Sequence, residues 1–390
     1  MSKALRQSLL PTLGLALLAP LQAVNAATLN AISISYVPVI QQSNQSPDDW
    51  MLDTRQRREA LGLDPSGAAI NNFYGEYNFS LSQIRERVSQ IQNGAKNALE
   101  EGSRYHGYKN PSAEKSIEYN FLNSIEILEG VPLSDRSYNG NPLPDYMSMM
   151  NRQNICNYVD NQDVKEVWLY SYGGIGKGGW ESNFSSKYGD ISNSDRYPYD
   201  LPQCQKSYTV YDYNYGRYIA EAVHNHMHQF ESIFGDVDYS LFWDKFTRSC
   251  GNTHFPPNGQ KDYDYHNPNP VLSDCEDWHP YGDGKQTSIS NATWNDDEVN
   301  YYIYWMQNIP GANNGLTDCS PQDATCVPTK RLKNWWTFIG DFDNAYTDKT
   351  FWETIPPDDS KSVPEPSTIP FITAAAATLL VFRKRLAARR

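Results

Sequence analysis

All six cysteines of this chain, Cys156, Cys204, Cys250, Cys275, Cys319 and Cys326, fall in its central and C-terminal parts, and what they become limits the fold more than any other feature. In an oxidising compartment an even number of cysteines predicts three disulfides. In a reducing one the same residues would remain thiols. No Cys-x-x-Cys pair occurs, so neither a redox dithiol nor a cysteine zinc knuckle is indicated. Several pairings are open, although Cys319 and Cys326 bracket a short Ser-Pro-Gln-Asp-Ala-Thr loop that can close locally.

The N-terminus bears on the compartment. Lys3 and Arg6 form a positive start, Leu9 to Leu21 an apolar stretch, and Val24-Asn25-Ala26 a small-residue cleavage site, the three parts of an export signal cut after Ala26. Pro11 and Pro20 would interrupt a buried helix there, and the polar sequence after Asn30 gives no stop-transfer pattern. The other end reads Val363-Pro-Glu-Pro-Ser-Thr368, then an apolar run from Ile369 to Phe382, then Arg383-Lys384-Arg385 and Arg389-Arg390. This order of parts resembles the PEP-CTERM signal of bacterial exosortase substrates. The resemblance implies a transient membrane stop and cleavage near the motif by an exosortase-type enzyme. The apolar run is shorter than the roughly 20 residues of a permanent span, so retention as a C-terminal anchor is the competing expectation. Four segments follow: signal peptide 1–26, globular extracytoplasmic domain 27–355, linker 356–362 and sorting tail 363–390.

The formal charge is −13, and without the signal and the basic tail 26 basic and 45 acidic residues remain, a balance of −19. Such a chain repels nucleic acid and anionic membrane surfaces, which disfavours both as partners of the mature domain. An aromatic content of 13 %, with 27 Tyr and 10 Trp, supplies bulk for a core. It also suits exported proteins that pack tyrosine faces on sugar rings.

Alternation in Ala31-Ile-Ser-Ile-Ser-Tyr-Val37 predicts a strand with Ile32 and Ile34 on one face. Ser80 and Gln83 make a capping box for a helix carrying Leu81, Ile84, Val88, Ile91 and Ala95, with Gly102 as its C-cap. A second helix is expected from Ala113 toward Glu129. Val164–Tyr172 and Ser207–Tyr213 read as strands, the latter feeding a helix from about Tyr215 to Phe234. Interleaved strands and helices predict an α/β or α+β fold, one layered mixed domain with a loop-rich, disulfide-stabilised C-terminal half.

The stretch Glu221-Ala-Val-His-Asn-His-Met-His-Gln-Phe-Glu231 places three of seven histidines on that last helix. At about 100° per residue Glu221, His224, His228 and Glu231 share one face, and His226 points elsewhere. His224 and His228 have the i, i+4 spacing that lets two imidazoles meet one metal, with Glu231 as an oxygen ligand. The His-Glu-x-x-His protease pattern is not met, because Asn225 follows His224, so Glu221 or Glu181 would have to serve as acid/base. His254 is the preferred remote third ligand, ahead of His279. Against this reading, Ile219, Val223, Met227, Phe230 and Phe234 form an apolar face that would leave the His/Glu face solvated.

The tracts Asp262-Tyr-Asp264 and Asp274-Cys-Glu-Asp277 have the oxygen-rich character of calcium loops without matching an EF-hand. Gly174-x-Gly176-x-x-Gly179 follows a strand but opens no convincing helix, and Lys177-Gly178 excludes a P-loop. No Gly-x-Ser-x-Gly elbow is present. Two function classes therefore stay open, and the sequence does not decide whether the protein is an enzyme. One is a metal-dependent hydrolase of an extracellular polymer, with zinc the expected divalent cation. The other is a non-catalytic protein of the envelope or exopolysaccharide matrix, binding a polysaccharide or protein through aromatic faces.

Overall fold

The computed structural model describes residues 26–70, 79–138, 141–172, 181–192, 200–311 and 314–356. The expected export signal up to residue 25, the glycine-rich loop 173–180, the expected linker from 357 and the expected sorting tail lie outside the described residues. The chain divides into two units, Met1–Glu353 and Thr354–Arg390, and everything below concerns the first.

Six strands make the main sheet: β1 Ala27–Tyr36, β2 Ile117–Ile127, β3 Val164–Ser171, β4 Ser182–Ser185, β5 Ile191–Ser192 and β6 Tyr208–Asn214. Their order is β2-β1-β3-β6-β4-β5. The first four run parallel, and β4 turns antiparallel to β6, as β5 does to β4. Parallel neighbours need long crossovers, and helices α1 Leu81–Gly102, α2 Tyr146–Arg152, α3 Ile155–Gln162 and α4 Ile219–Val237 interleave with the strands. The fold is thus the mixed α/β architecture expected from alternating strand and helix patterns.

Both faces of the sheet's centre are covered, and the central strand β3 is buried along almost its whole length. On one face Ile32, Ile34, Val167, Leu169 and Val210 pack with Met149, Met150, Ile155 and Val159 of α2 and α3. On the other, Leu29, Trp168, Tyr170, Tyr211 and Tyr213 pack with α1 and α4. The tyrosine excess goes largely into this core, where Tyr36, Tyr170, Tyr208, Tyr211, Tyr213, Tyr215, Tyr301 and Tyr302 are among the largest fully buried side chains.

Two sequence expectations need correcting. The segment Ala113–Glu129 is not a helix but contains β2, the sheet-edge strand paired in parallel with β1. Ile117 and Tyr119 bury at period two while Glu118 and Asn120 face solvent, and this alternation with a waiting partner strand wins over the helical spacing of Leu122 and Ile125. Gly102 closes α1 without left-handed geometry, since the cap residue is Ser103 at φ −79°. Gly102 is small because a Cβ there would press into the Met306 side chain. The capping box at Ser80 and Gln83 forms as read.

Beyond α4 the chain is loop-rich, with short pieces around one further helix, α5 Glu298–Met306. Disulfides Cys250–Cys275 and Cys319–Cys326 staple this half, and Cys156–Cys204 ties α3 to the segment before β6. No cysteine is free. Three disulfides fit an oxidising, exported environment. Among the described residues no helix is long and apolar enough to cross a membrane.

Candidate metal centre

Helix α4 starts after β6, with Tyr218 as its extended N-cap residue, and carries histidines on two sides. His226 faces the sheet. Its ring stacks on Tyr211 with centroids 3.6 Å apart, meets Trp168 edge-on, and bonds the Tyr213 hydroxyl through Nε2. His224 and His228 face the opposite way, and that face is not left to solvent, since His224 and Glu231 are buried.

What covers it is the loop after Cys250. The disulfide fixes one end of the loop, and Gly251 follows at φ +74°, where an added Cβ would strike the carbonyl oxygen of Phe255. Trp305 Nε1 donates to the Gly251 carbonyl at 2.9 Å, and Tyr301 Oη to that of Asn252 at 2.7 Å, so α5 holds the loop from behind. Asn252 Oδ1 in turn accepts from the backbone of His254 and Phe255. These bonds bring His254 across to α4.

One ring nitrogen from each of His224, His228 and His254 gathers within 4.8 Å, a group able to hold a metal ion. His228 Nε2 and His254 Nε2 are 2.9 Å apart. The rings of His224 and His228 meet edge-on at 4.5 Å, and those of His224 and His254 stack at 5.1 Å. Each Nδ1 is separately engaged. His224 Nδ1 lies 2.7 Å from Tyr302 Oη, whose own hydrogen goes to Glu298 Oε1 at 2.7 Å. His228 Nδ1 lies 3.1 Å from Glu231 Oε2, and His254 Nδ1 2.8 Å from Asp262 Oδ1. These partners are acceptors, so each Nδ1 carries the hydrogen and each Nε2 is left with its lone pair. Three lone pairs converging in a partly buried space repel one another unless a cation, or a proton shared by two of them, joins them.

The electrostatics follow the same arrangement. Burial, then the neighbouring His228 and His254, push His224 down to about 3, so it stays a neutral ligand. Burial pulls His228 down too, but the Glu231 carboxylate outweighs it, with help from Glu181 and Asp262, and its net shift is upward.

The expected residues thus separate. His224, His228 and His254 come together. Glu231 belongs to the site in a different role, since its Oε2 orients His228 while its Oε1 accepts the Thr253 backbone N–H at 2.7 Å, tying the loop to the helix. Glu181, at the start of β4, is half-buried and its charge acts on both His228 and Tyr263. Glu221 forms an ion pair with Arg217 one turn earlier. His279 lies apart, beside Asp283.

The acidic tracts do not form oxygen cages among the described residues, where the three histidines make the one group suited to a metal. Asp262 serves His254, and Asp264 Oδ2 accepts from Gln260 N and Asn267 Nδ2. Glu276 and Asp277 lie near Lys109. Sequence reasoning missed Tyr263, Tyr302 and Glu298. Glu298 and Tyr302 stand one helical turn apart, a readable spacing, but nothing in the chain pointed them at His224.

No family model, curated protein or solved structure matches this chain. The chemistry of the site must therefore be argued from its own residues.

Proposed function

We propose that this protein is an exported metal-dependent hydrolase of an extracellular polymer, with zinc held by His224, His228 and His254. The observation that carries this reading is the convergence of one ring nitrogen from each of three histidines, whose Nδ1 atoms each have an acceptor. That pattern orients a ligand and raises its basicity, and three protein ligands with one position left over is the composition of catalytic zinc sites. When bound, zinc supplies a Lewis acid and a coordinated water of lowered pKa. Glu231, Asp262 and the Glu298–Tyr302 pair hold the three rings in place. Glu181, whose charge acts on both His228 and Tyr263, is the carboxylate assigned as proton acceptor. Glu221 is committed to Arg217.

Access to the site is open on one side: the side chains of His228 and His254 keep 20 % and 30 % of their surface. Glu181, Glu231, Asp262 and Glu298 make the surroundings acidic, which favours neutral over anionic substrates. The test is metal analysis of the purified protein, followed by assays on neutral polysaccharides and on peptides with Glu181→Gln alongside. One zinc per chain, activity lost to chelator and restored by zinc, and a Glu181→Gln variant that keeps metal but not activity are expected. A protein that takes up no zinc, manganese or calcium sinks this reading. A surface-binding protein of the envelope matrix would then lead, supported by the exposed rings of Tyr188, Tyr218, Tyr239 and Tyr281.

Processing at both ends belongs to the same proposal, and the disulfides support the compartment it requires. Mass spectrometry of envelope-associated protein should find Ala27 at the N-terminus and the tail from 363 largely removed. An intact Arg390 terminus would favour a retained anchor over cleavage by an exosortase-type enzyme.

A further inference from the structure

Tyr263 sits at φ +59°, in the left-handed region that bulky side chains rarely adopt. Such a conformation persists only where its surroundings impose it, and it concentrates at functional sites. Here the surroundings are the histidine cluster. Tyr263 N donates to the His254 carbonyl at 3.0 Å. The ring lies 17° from parallel with His224 at 5.7 Å and 4.6 Å from the ring of His254. Its hydroxyl ends 3.4 Å from His254 Nε2, the atom that also meets His228 Nε2.

That spacing is informative. Two ligand atoms of a tetrahedral zinc, each about 2.0 to 2.1 Å from the metal, stand about 3.3 Å apart. The phenol oxygen therefore already lies at ligand distance from one of the three chelating nitrogens. Half of Tyr263 is exposed, so the ring can swing outward without opening the core. Asp262, its chain neighbour, orients His254, and Asp264 anchors the loop on Gln260 and Asn267.

We propose that Tyr263 is the fourth, displaceable ligand of the metal, closing the site at rest and withdrawing when water and substrate take its place. This rests on the metal reading above and adds a gate to it. A three-histidine site without such a gate would keep water in the fourth position throughout.

The test uses copper(II) as the probe in the full protein. Phenol-oxygen ligation to copper gives a charge-transfer absorption in the visible range, which imidazole ligands alone do not. Wild-type protein loaded with one copper per chain should show that band. Tyr263→Phe should bind one copper per chain and lose the band, whereas Tyr239→Phe, which removes an exposed phenol outside the histidine cluster, should keep both copper and band. A band that survives in Tyr263→Phe, or stoichiometric copper in the wild type without the band, overturns the proposal and leaves the metal site standing. A wild-type protein that retains neither copper nor zinc overturns both.

Discussion

On α4, His226 stands two positions from each of His224 and His228, and they are put to opposite uses. His226 enters the layer between helix and sheet, where Tyr211 stacks on one face of its ring and Tyr213 bonds Nε2. Burial alone holds it far below its ordinary pKa, so it behaves there as a neutral, ring-shaped core residue. His224 and His228 meet a loop 26 to 30 positions further along the chain and keep their Nε2 lone pairs pointed at one another and at His254. The difference lies in the partners. On the sheet side the polar ring is absorbed by packing, and on the loop side carboxylates and a tyrosine hold it in a group able to take a metal ion.

If this contrast is right, the largest effect comes from removing the metal. A cation bound only by the folded state at a thousandfold excess over its Kd stabilises it by about 4 kcal/mol. Chelator should therefore lower the melting temperature of wild-type protein, and His228→Ala should melt near the chelated wild type and ignore chelator. Equal melting curves with and without chelator, at confirmed metal content, would break the comparison on its loop side.

His226→Ala should act in the other currency. It opens a cavity against Tyr211 and Trp168 and strips the Tyr213 hydroxyl of its partner, a loss of about 3 kcal/mol by the usual cost of large-to-small core changes and orphaned polar groups. Metal bound per folded molecule should stay at the wild-type value. Denaturant titration beside elemental analysis separates the two, and a metal-depleted but stable His226→Ala protein would reverse the assignment of the two faces.

Next in size is the layer behind the ligands. Glu231→Gln and Glu298→Gln leave all three histidines in place but weaken the acceptors on His228 and, through Tyr302, on His224. Partners of this kind are worth about 10- to 100-fold in metal affinity. Competition with a chromophoric chelator should register that loss, larger for Glu231, which also holds Thr253. Unchanged affinity in both variants would mean that the hydrogen bonds on Nδ1 do not prepare the site.

How much of this was readable in the chain follows the same line between local and distant partners. β1, β3 and β6 were visible because their alternation or apolar runs need no knowledge of the neighbour strand, and α1 because Ser80 and Gln83 cap it within four residues. The His224–His228 pair was visible because it lies on one helix. β2 was misread because an edge strand with one face in water mixes both periods. Asp262 was noticed as an acid but given the wrong task, and Tyr302, 78 positions from His224, could not be assigned without the fold. His254 was legible as a candidate third ligand and does join His224 and His228, but the bonds by which loop 251–265 meets α4 and α5 left no pattern along the chain.

The last effect expected is a pH slope, and it sharpens the sheet side of the comparison. Glu166 on β3 is buried on the His226 face, with Trp168 Nε1 donating to its Oε2 at 2.7 Å and Tyr119 Oη to its Oε1 at 3.2 Å. Burial pushes its carboxyl up to about 8, and the two hydrogen bonds only partly oppose that. Unfolding returns it to the ordinary carboxylate range near 4.5. Between those values the folded state holds a proton that the unfolded state has lost, so stability falls as pH rises. The contribution is full below the unfolded value and is lost as pH climbs through the folded one, at up to about 1.4 kcal/mol per pH unit. His226 has the opposite sign: its lowered pKa costs stability as pH falls below the ordinary histidine range. Glu166→Gln keeps an oxygen for Trp168 and cannot ionise, so the decline from about pH 5 to 8 should flatten, while the loss at lower pH, owed to His226, remains. Denaturant midpoints of the two proteins across that range decide it, and parallel profiles would mean that Glu166 is already ionised in the folded core.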